Sequence, residues 1–153
     1  MKITYLLMFV LIVFFSLFLN GAEKIDKEKI LATDKEWQNN YNNYTPDSQI
    51  MDQIKSKIGE NLKIDVYLGL WCSDSQANVP PFIKILDGLD QGKITVNYYT
   101  VERKANKDVK YFAEEAKVER VPTFIFYRDG KEIGRIVENP RKSLAEDFLE
   151  IVF

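Results

Sequence analysis

The chain has no histidine and only one cysteine in 153 residues. The first absence excludes Ser-His-Asp and Cys-His catalysis and removes the commonest metal ligand. The second excludes an internal disulfide and the cysteine-rich zinc sites. No metal and no cofactor is expected. A charge bias is missing too, with 21 Lys+Arg against 23 Asp+Glu. A near-balanced, slightly acidic chain has no bulk attraction for nucleic acid, which is excluded as a partner. There is no internal repeat, no low-complexity tract and no Gly/Ser-rich linker. The length suits one domain with a real core.

Charge is absent from one run, residues 3–19 (ITYLLMFVLIVFFSLFL). Lys2 precedes it and the polar boundary Asn20-Gly21-Ala22 follows. A positive start, an apolar stretch and a polar boundary make the layout of a secretory signal. The run is long for a cleaved signal and short for a full span, which needs about 20 residues. Its cleavage site is imperfect, because Asn20 or Leu19 falls where a small residue is preferred. Residues 1–22 are read as a signal peptide, with a retained membrane anchor as the alternative. Both send the rest of the chain out of the cytoplasm, periplasmic or secreted, where disulfide chemistry is available. Membrane contact is expected only if the segment is retained.

Residues 23–59 read as an N-terminal helical extension. A helix is expected within 24–44. Thr45-Pro46 looks like a cap followed by proline at the first helical position. Ile50, Ile54 and Ile58 then recur every four residues, predicting a helix over 47–58. From residue 60 the pattern changes. Residues 64–70 form a β-rich run, and 73–89 carry Val79, Phe82, Ile83 and Leu86 on one helical face. Residues 94–99 read as a strand and 107–117 as a short helix. Residues 123–127 and 132–137 read as strands joined by an Asp129-Gly130 hairpin turn. Ser143 and Glu146 match a capping box opening a last helix. The order βαβαββα implies an α/β fold, a small mixed sheet with helices on both faces.

Cys72 is the one nucleophile of interest. It follows an apolar strand and stands where a helix begins, and both features suit a reactive site. Strand ends of α/β sheets are where sites are built. A helix N-terminus presents unpaired N–H groups and partial positive charge that favour a thiolate. Ser75, one turn on, is placed to donate a hydrogen bond to the sulfur. Trp71 is placed to shield one side of it, and the Asp74 charge opposes the thiolate. The competing reading makes Cys72 a small buried apolar residue.

The segment Trp71-Cys72-Ser73-Asp74-Ser75 resembles the W-C-x-x-C active site of the thioredoxin family, with serine in place of the second cysteine. Pro80 matches a proline in the corresponding helix of that family. Val121-Pro122-Thr123, opening a strand, resembles its cis-proline motif, and Asp129-Gly130 its hairpin turn. The resemblance spans roughly residues 60–153 and implies a thioredoxin-like domain there. It implies that Cys72 is the attacking thiol and that Pro122 is cis and lies against it. It also implies that the Val121 backbone, with Thr123, binds an extended partner strand.

The sequence departs from that pattern in four places. Ser75 cannot resolve a mixed disulfide, because that step needs a second thiol. A self-contained dithiol reductase or oxidase is excluded. The family's buried acid aligns with Val66, with Asp65 on the opposite strand face. The lysine often paired with that acid aligns with Tyr98. Glu138 stands where a glycine often approaches the substrate. Outside the resemblance, Asp87 and Asp90 lack calcium-loop spacing. Arg103, Lys104, Asn106 and Lys107 read as a solvated face rather than a phosphate site.

The sequence therefore predicts an exported monothiol thioredoxin-like protein. Its partners would be exported protein thiols or disulfides, or small thiols, and an external thiol would release the mixed disulfide. The alternative is a redox-inactive binding or adaptor module using the groove around Pro122. A monomer is expected, with a Cys72-linked dimer as the other option.

Overall fold

A computed structural model describes residues 21–104 and 110–153. The expected signal or anchor run, residues 3–19, lies outside the described residues. Among those described, no helix is long and apolar enough to cross a membrane.

The elements run in the order β1 (Ala22–Ile25), α1 (Lys27–Leu31), α2 (Lys35–Asn43), α3 (Ser48–Lys57), β2 (Leu62–Leu68), α4 (Ser73–Asp87), β3 (Ile94–Val101), β4 (Thr123–Arg128), β5 (Lys131–Val137) and α5 (Leu144–Val152). The strands form one sheet in the order β1-β3-β2-β4-β5. The central β2 pairs parallel with β3 and antiparallel with β4. The parallel pair needs a crossover, which α4 supplies.

Alternation along β2 explains its place. Leu62, Ile64, Val66 and Leu68 face the large core, and Tyr67 faces a smaller cluster on the other side of the sheet. A strand buried on both faces belongs in the middle. The large core takes buried residues from all five described helices, including Trp37, Ile54, Phe82 and Phe148. Phe82 lies at its centre, with ring centroids 4.4 Å from Phe124 and 5.9 Å from Phe148.

The N-terminal region departs from the helical extension expected there. Residues 22–25 form an edge strand antiparallel to β3, with Ile25 opposite Tyr98. The rest divides into two helices because Asp34 restarts the chain. Its carboxylate accepts the Glu36 and Trp37 N–H groups at 2.8 and 3.2 Å, capping α2. The cap of α3 is Asp47, which accepts from the Gln49 and Ile50 N–H groups, rather than Thr45. The residues of α1 to α3 enter the same core as the C-terminal elements.

The second sheet face also differs from expectation. A helix was expected over 107–117. Residues 105–109 lie outside the described residues, and 110–117 form a turn closed by a bridge between Ala113 and Val118. Phe112, Ala113 and Ala116 pack as a turn against Tyr67, Val118 and Ile125. Asp129 and Gly130 do form the hairpin turn, both with positive φ, 51° and 78°. That is the conformation asparagine, aspartate and glycine tolerate there. Ser143 caps α5 by accepting the Glu146 N–H at 3.2 Å.

Helix α4 contains Pro80 and Pro81. Proline has no N–H, so the carbonyl four residues before each loses its helical partner. For Pro80 that carbonyl is Gln76 O, and the Asn40 side chain of α2 donates to it at 2.9 Å. The substitute bond ties α2 to the helix that begins at Cys72. Replacing Asn40 with alanine should lower stability by about 1 kcal/mol. Urea unfolding of Asn40→Ala against wild type checks this.

Candidate functional site

The site is built at the turn from β2 into α4. The Cys72 N–H donates to Gly69 O at 2.9 Å, and Gln76 N–H donates to Cys72 O at 3.0 Å, the first bond of the helix. Cys72 is therefore the N-cap residue, with extended backbone (φ −98°, ψ 123°). Its side chain is half-buried and its thiol is free. The sulfhydryl donates to Val121 O at 3.3 Å. That contact crosses from α4 to the segment before β4, where the Val121–Pro122 peptide is cis.

Ser75 does not do what its position suggested. It is fully buried, and its Oγ accepts the Gly69 N–H at 3.1 Å. The hydroxyl secures the turn rather than the sulfur. In the first helical turn the side chain points back toward the preceding strand, and there it meets a backbone donor without a sheet partner. Thr123, expected to bind a partner, is also enclosed. It is 1% exposed and its hydroxyl donates to Arg120 O at 2.7 Å.

Trp71 lies beside the cysteine. Its indole N–H donates to Val101 O at 2.9 Å, and its ring is 5.8 Å from the Phe112 ring. The Arg103 guanidinium stacks on the outer face, 4.6 Å from the ring centroid. The ring lies so close over Gly69 that a Cβ there would come within 2.8 Å of it. Gly69 was missed in the sequence, although a glycine interrupting a β-rich run signals a close approach.

Asp74 is half-buried at the second position of α4. On its side of the site, Asn78 donates both to Asp74 O and to Asn139 Oδ1, each at 3.0 Å. Glu138 adopts a positive φ of 59°, and its N–H donates to Pro122 O at 2.7 Å. Its carboxylate pairs with Arg120 at 2.7 Å, so the two charges bracket the Val121–Pro122 segment.

Behind the site, the core positions are apolar. Val66 is fully buried. Tyr98 is 8% exposed, and burial raises its phenol well above the ordinary 10.0, with Asp87 and Glu28 adding to the rise. Asp65 faces the other side of the sheet, where Lys63 and Asn97 reach its two oxygens, each at 2.8 Å. No buried acid stands behind Cys72 from these positions. No group of three or more metal-ligating side chains is assembled among the described residues.

The thioredoxin family model matches residues 19–147. The chain belongs to the thioredoxin family. It is 25% identical over 92 residues to a thioredoxin of Geodia cydonium, covering 60% of this chain and 80% of that one. A Pseudomonas aeruginosa protein of unknown function shares the fold, with a TM-score of 0.55, 18% identity, and coverage of 84% of this chain and 86% of that one. Thioredoxin of Malassezia sympodialis aligns with 24% identity and a TM-score of 0.43, over 67% of this chain and 85% of that one. The family match begins at residue 19, well ahead of residue 60, in keeping with a core shared by all the described helices.

Two measurements follow. Ser75→Ala leaves the enclosed Gly69 N–H without its acceptor, so unfolding should become easier by about 1–3 kcal/mol. A urea midpoint matching wild type would show that the bond to Gly69 contributes nothing. Tyr98 sets a limit at high pH. Its phenol stays neutral in the fold while the unfolded chain ionises, so its contribution is complete below pH about 10 and is lost as pH rises further. Tyr98→Phe should lose less stability than wild type between pH 8 and pH 11, read from urea midpoints.

Proposed function

We propose that this thioredoxin-family chain is exported and carries out thiol–disulfide exchange through Cys72 alone. The observation that carries the reading is the half-exposed Cys72 sulfhydryl at the head of α4, hydrogen-bonded to Val121 O. A thiolate at a helix N-terminus is the nucleophile such exchange requires. An extended partner chain would pair with the backbone at Val121, beside Pro122 and the sulfur. The exchange forms a mixed disulfide between Cys72 and the partner. Ser75 has no sulfur with which to resolve it, so an outside thiol, small or protein-borne, completes the reaction. Partners are exported proteins or small thiols. Export rests on the apolar run 3–19, whether it is cleaved or kept as an anchor.

A second reading has its own support. Ser75 is turned into the protein, and Val66 and Tyr98 are packed in the core. A chain with that arrangement would bind partners in the same groove without exchanging sulfur.

Mass spectrometry separates the two. Mixed with excess cystamine, the native protein should gain one cysteamine adduct, removed by dithiothreitol, and Cys72→Ser should gain none. An adduct that forms only after unfolding in urea would favour the binding module. Binding that survives in Cys72→Ser would favour it as well.

A further inference from the structure

On the Trp71 side stand Arg103 and Lys104, with Glu23 and Glu102 in the cleft that Trp71 also lines. The Arg103 guanidinium lies 4.6 Å from the indole ring centroid, and its Nη2 is 3.5 Å from Trp71 O, the carbonyl of the peptide bond leading into Cys72. Lys104 lies 4.4 Å from the Phe112 ring centroid and donates to Lys110 O and Glu119 O. Both make their polar contacts with carbonyls. Among the described residues, neither has a carboxylate within salt-bridge distance. On the Asn78 side stand Asp74 and Glu138, the latter holding Arg120. Lys110 is matched by Glu119 at 3.4 Å. Among the described residues, Arg103 is a cation without a paired carboxylate that reaches the peptide bond into Cys72. The guanidinium lies over the indole and keeps donors free for a planar acid.

We infer that Arg103 is a specificity-determining residue which favours disulfides and thiols carrying a carboxylate close to the sulfur. The inference rests on the exchange reading of Cys72. In the step itself, the Cys72 thiol gives its proton to solvent and the thiolate attacks one sulfur of the disulfide. The new bond joins Cys72 to that sulfur. The old S–S bond breaks, and its electron pair leaves with the second sulfur as a thiolate. Cys72 is oxidised as the departing sulfur is reduced. A carboxylate on the bound half is drawn to Arg103 as the partner approaches, and an ammonium is repelled. This selection runs against the chain as a whole, whose formal net charge of −2 disfavours anions. A preference for anions would therefore report the local arrangement and not the bulk field.

The test compares two symmetrical disulfides of opposite charge, dithiodipropionate (a dianion) and cystamine (a dication). Exchange rates depend on the leaving thiol as well as on charge. Each rate with native protein is therefore divided by the rate of the urea-unfolded chain with the same disulfide. At low ionic strength the normalised ratio of dianion to dication should be roughly tenfold in wild type, and should shrink as salt is added. Arg103→Gln should bring it close to one, chiefly by slowing the dianion. Arg103→Lys should keep most of the preference. The dication rate of Arg103→Gln shows whether the site is intact, since it should hold or rise. A wild-type ratio of one or below overturns the inference, as does a preference unchanged in Arg103→Gln, while leaving exchange through Cys72 standing. No exchange with either disulfide in the native protein overturns the exchange reading and this inference together.

Discussion

The geometry of the site depends on how the chain leaves the central strand. Gly69 is held twice at that point, its carbonyl by the Cys72 N–H at 2.9 Å and its N–H by the Ser75 hydroxyl at 3.1 Å. The two bonds turn the backbone out of the sheet and set the helix that follows. They also leave Cys72 at the head of that helix with its sulfur toward Val121. Gly69 must be glycine there because the Trp71 ring occupies the space a Cβ would need. The strand end, the tryptophan, the cysteine and the helix axis are thus one rigid unit, fixed by a serine in a place where the family pattern has a second thiol.

That unit is supported from below and from the side. Below it, the Phe82 cluster locks α4 onto β4 and α5. At its side, the Asn40 side chain of α2 answers the carbonyl that Pro80 leaves open. The N-terminal helices therefore hold the helix that carries the cysteine. Across the groove, Glu138 closes the end of β5 onto Pro122 and pairs with Arg120, giving the far wall its own polar fastening.

Much of this was legible from the residues. The alternation of Ile64, Val66 and Leu68 with Asp65 and Tyr67 marks a central strand. The recurrence of Ile50, Ile54 and Ile58 marks α3, and Asp129-Gly130 marks the hairpin turn. Short polar segments were harder to read. Residues 24 and 25 fell within the helix expected over 24–44, and pairing with β3 makes 22–25 a strand. A short helix was expected over 107–117, yet the described part of that segment is a turn. In both places local preference is weak and a contact with a distant part of the chain decides. Arg103 read as a solvated residue because its relation to Trp71 arises only when the end of β3 is laid beside the β2–α4 turn.

The sequence alone determined the chemistry open to this protein. No histidine and one cysteine leave one thiol, no internal disulfide and no resolving thiol within the chain, and no arrangement of the chain can change that inventory. It also determined the strands from residue 60 onward and the helices at 73–87 and 144–152, because hydrophobic periodicity is a local property. Only the tertiary structure decided which way the side chains at the site face. Ser75 turns in to Gly69, Thr123 turns in to Arg120, and the Cys72 sulfhydryl turns to Val121. The reason is physical: a buried polar group takes whichever partner the packed chain brings within reach. For Cys72 that partner, Val121, lies across the fold, where neither spacing nor periodicity can place it.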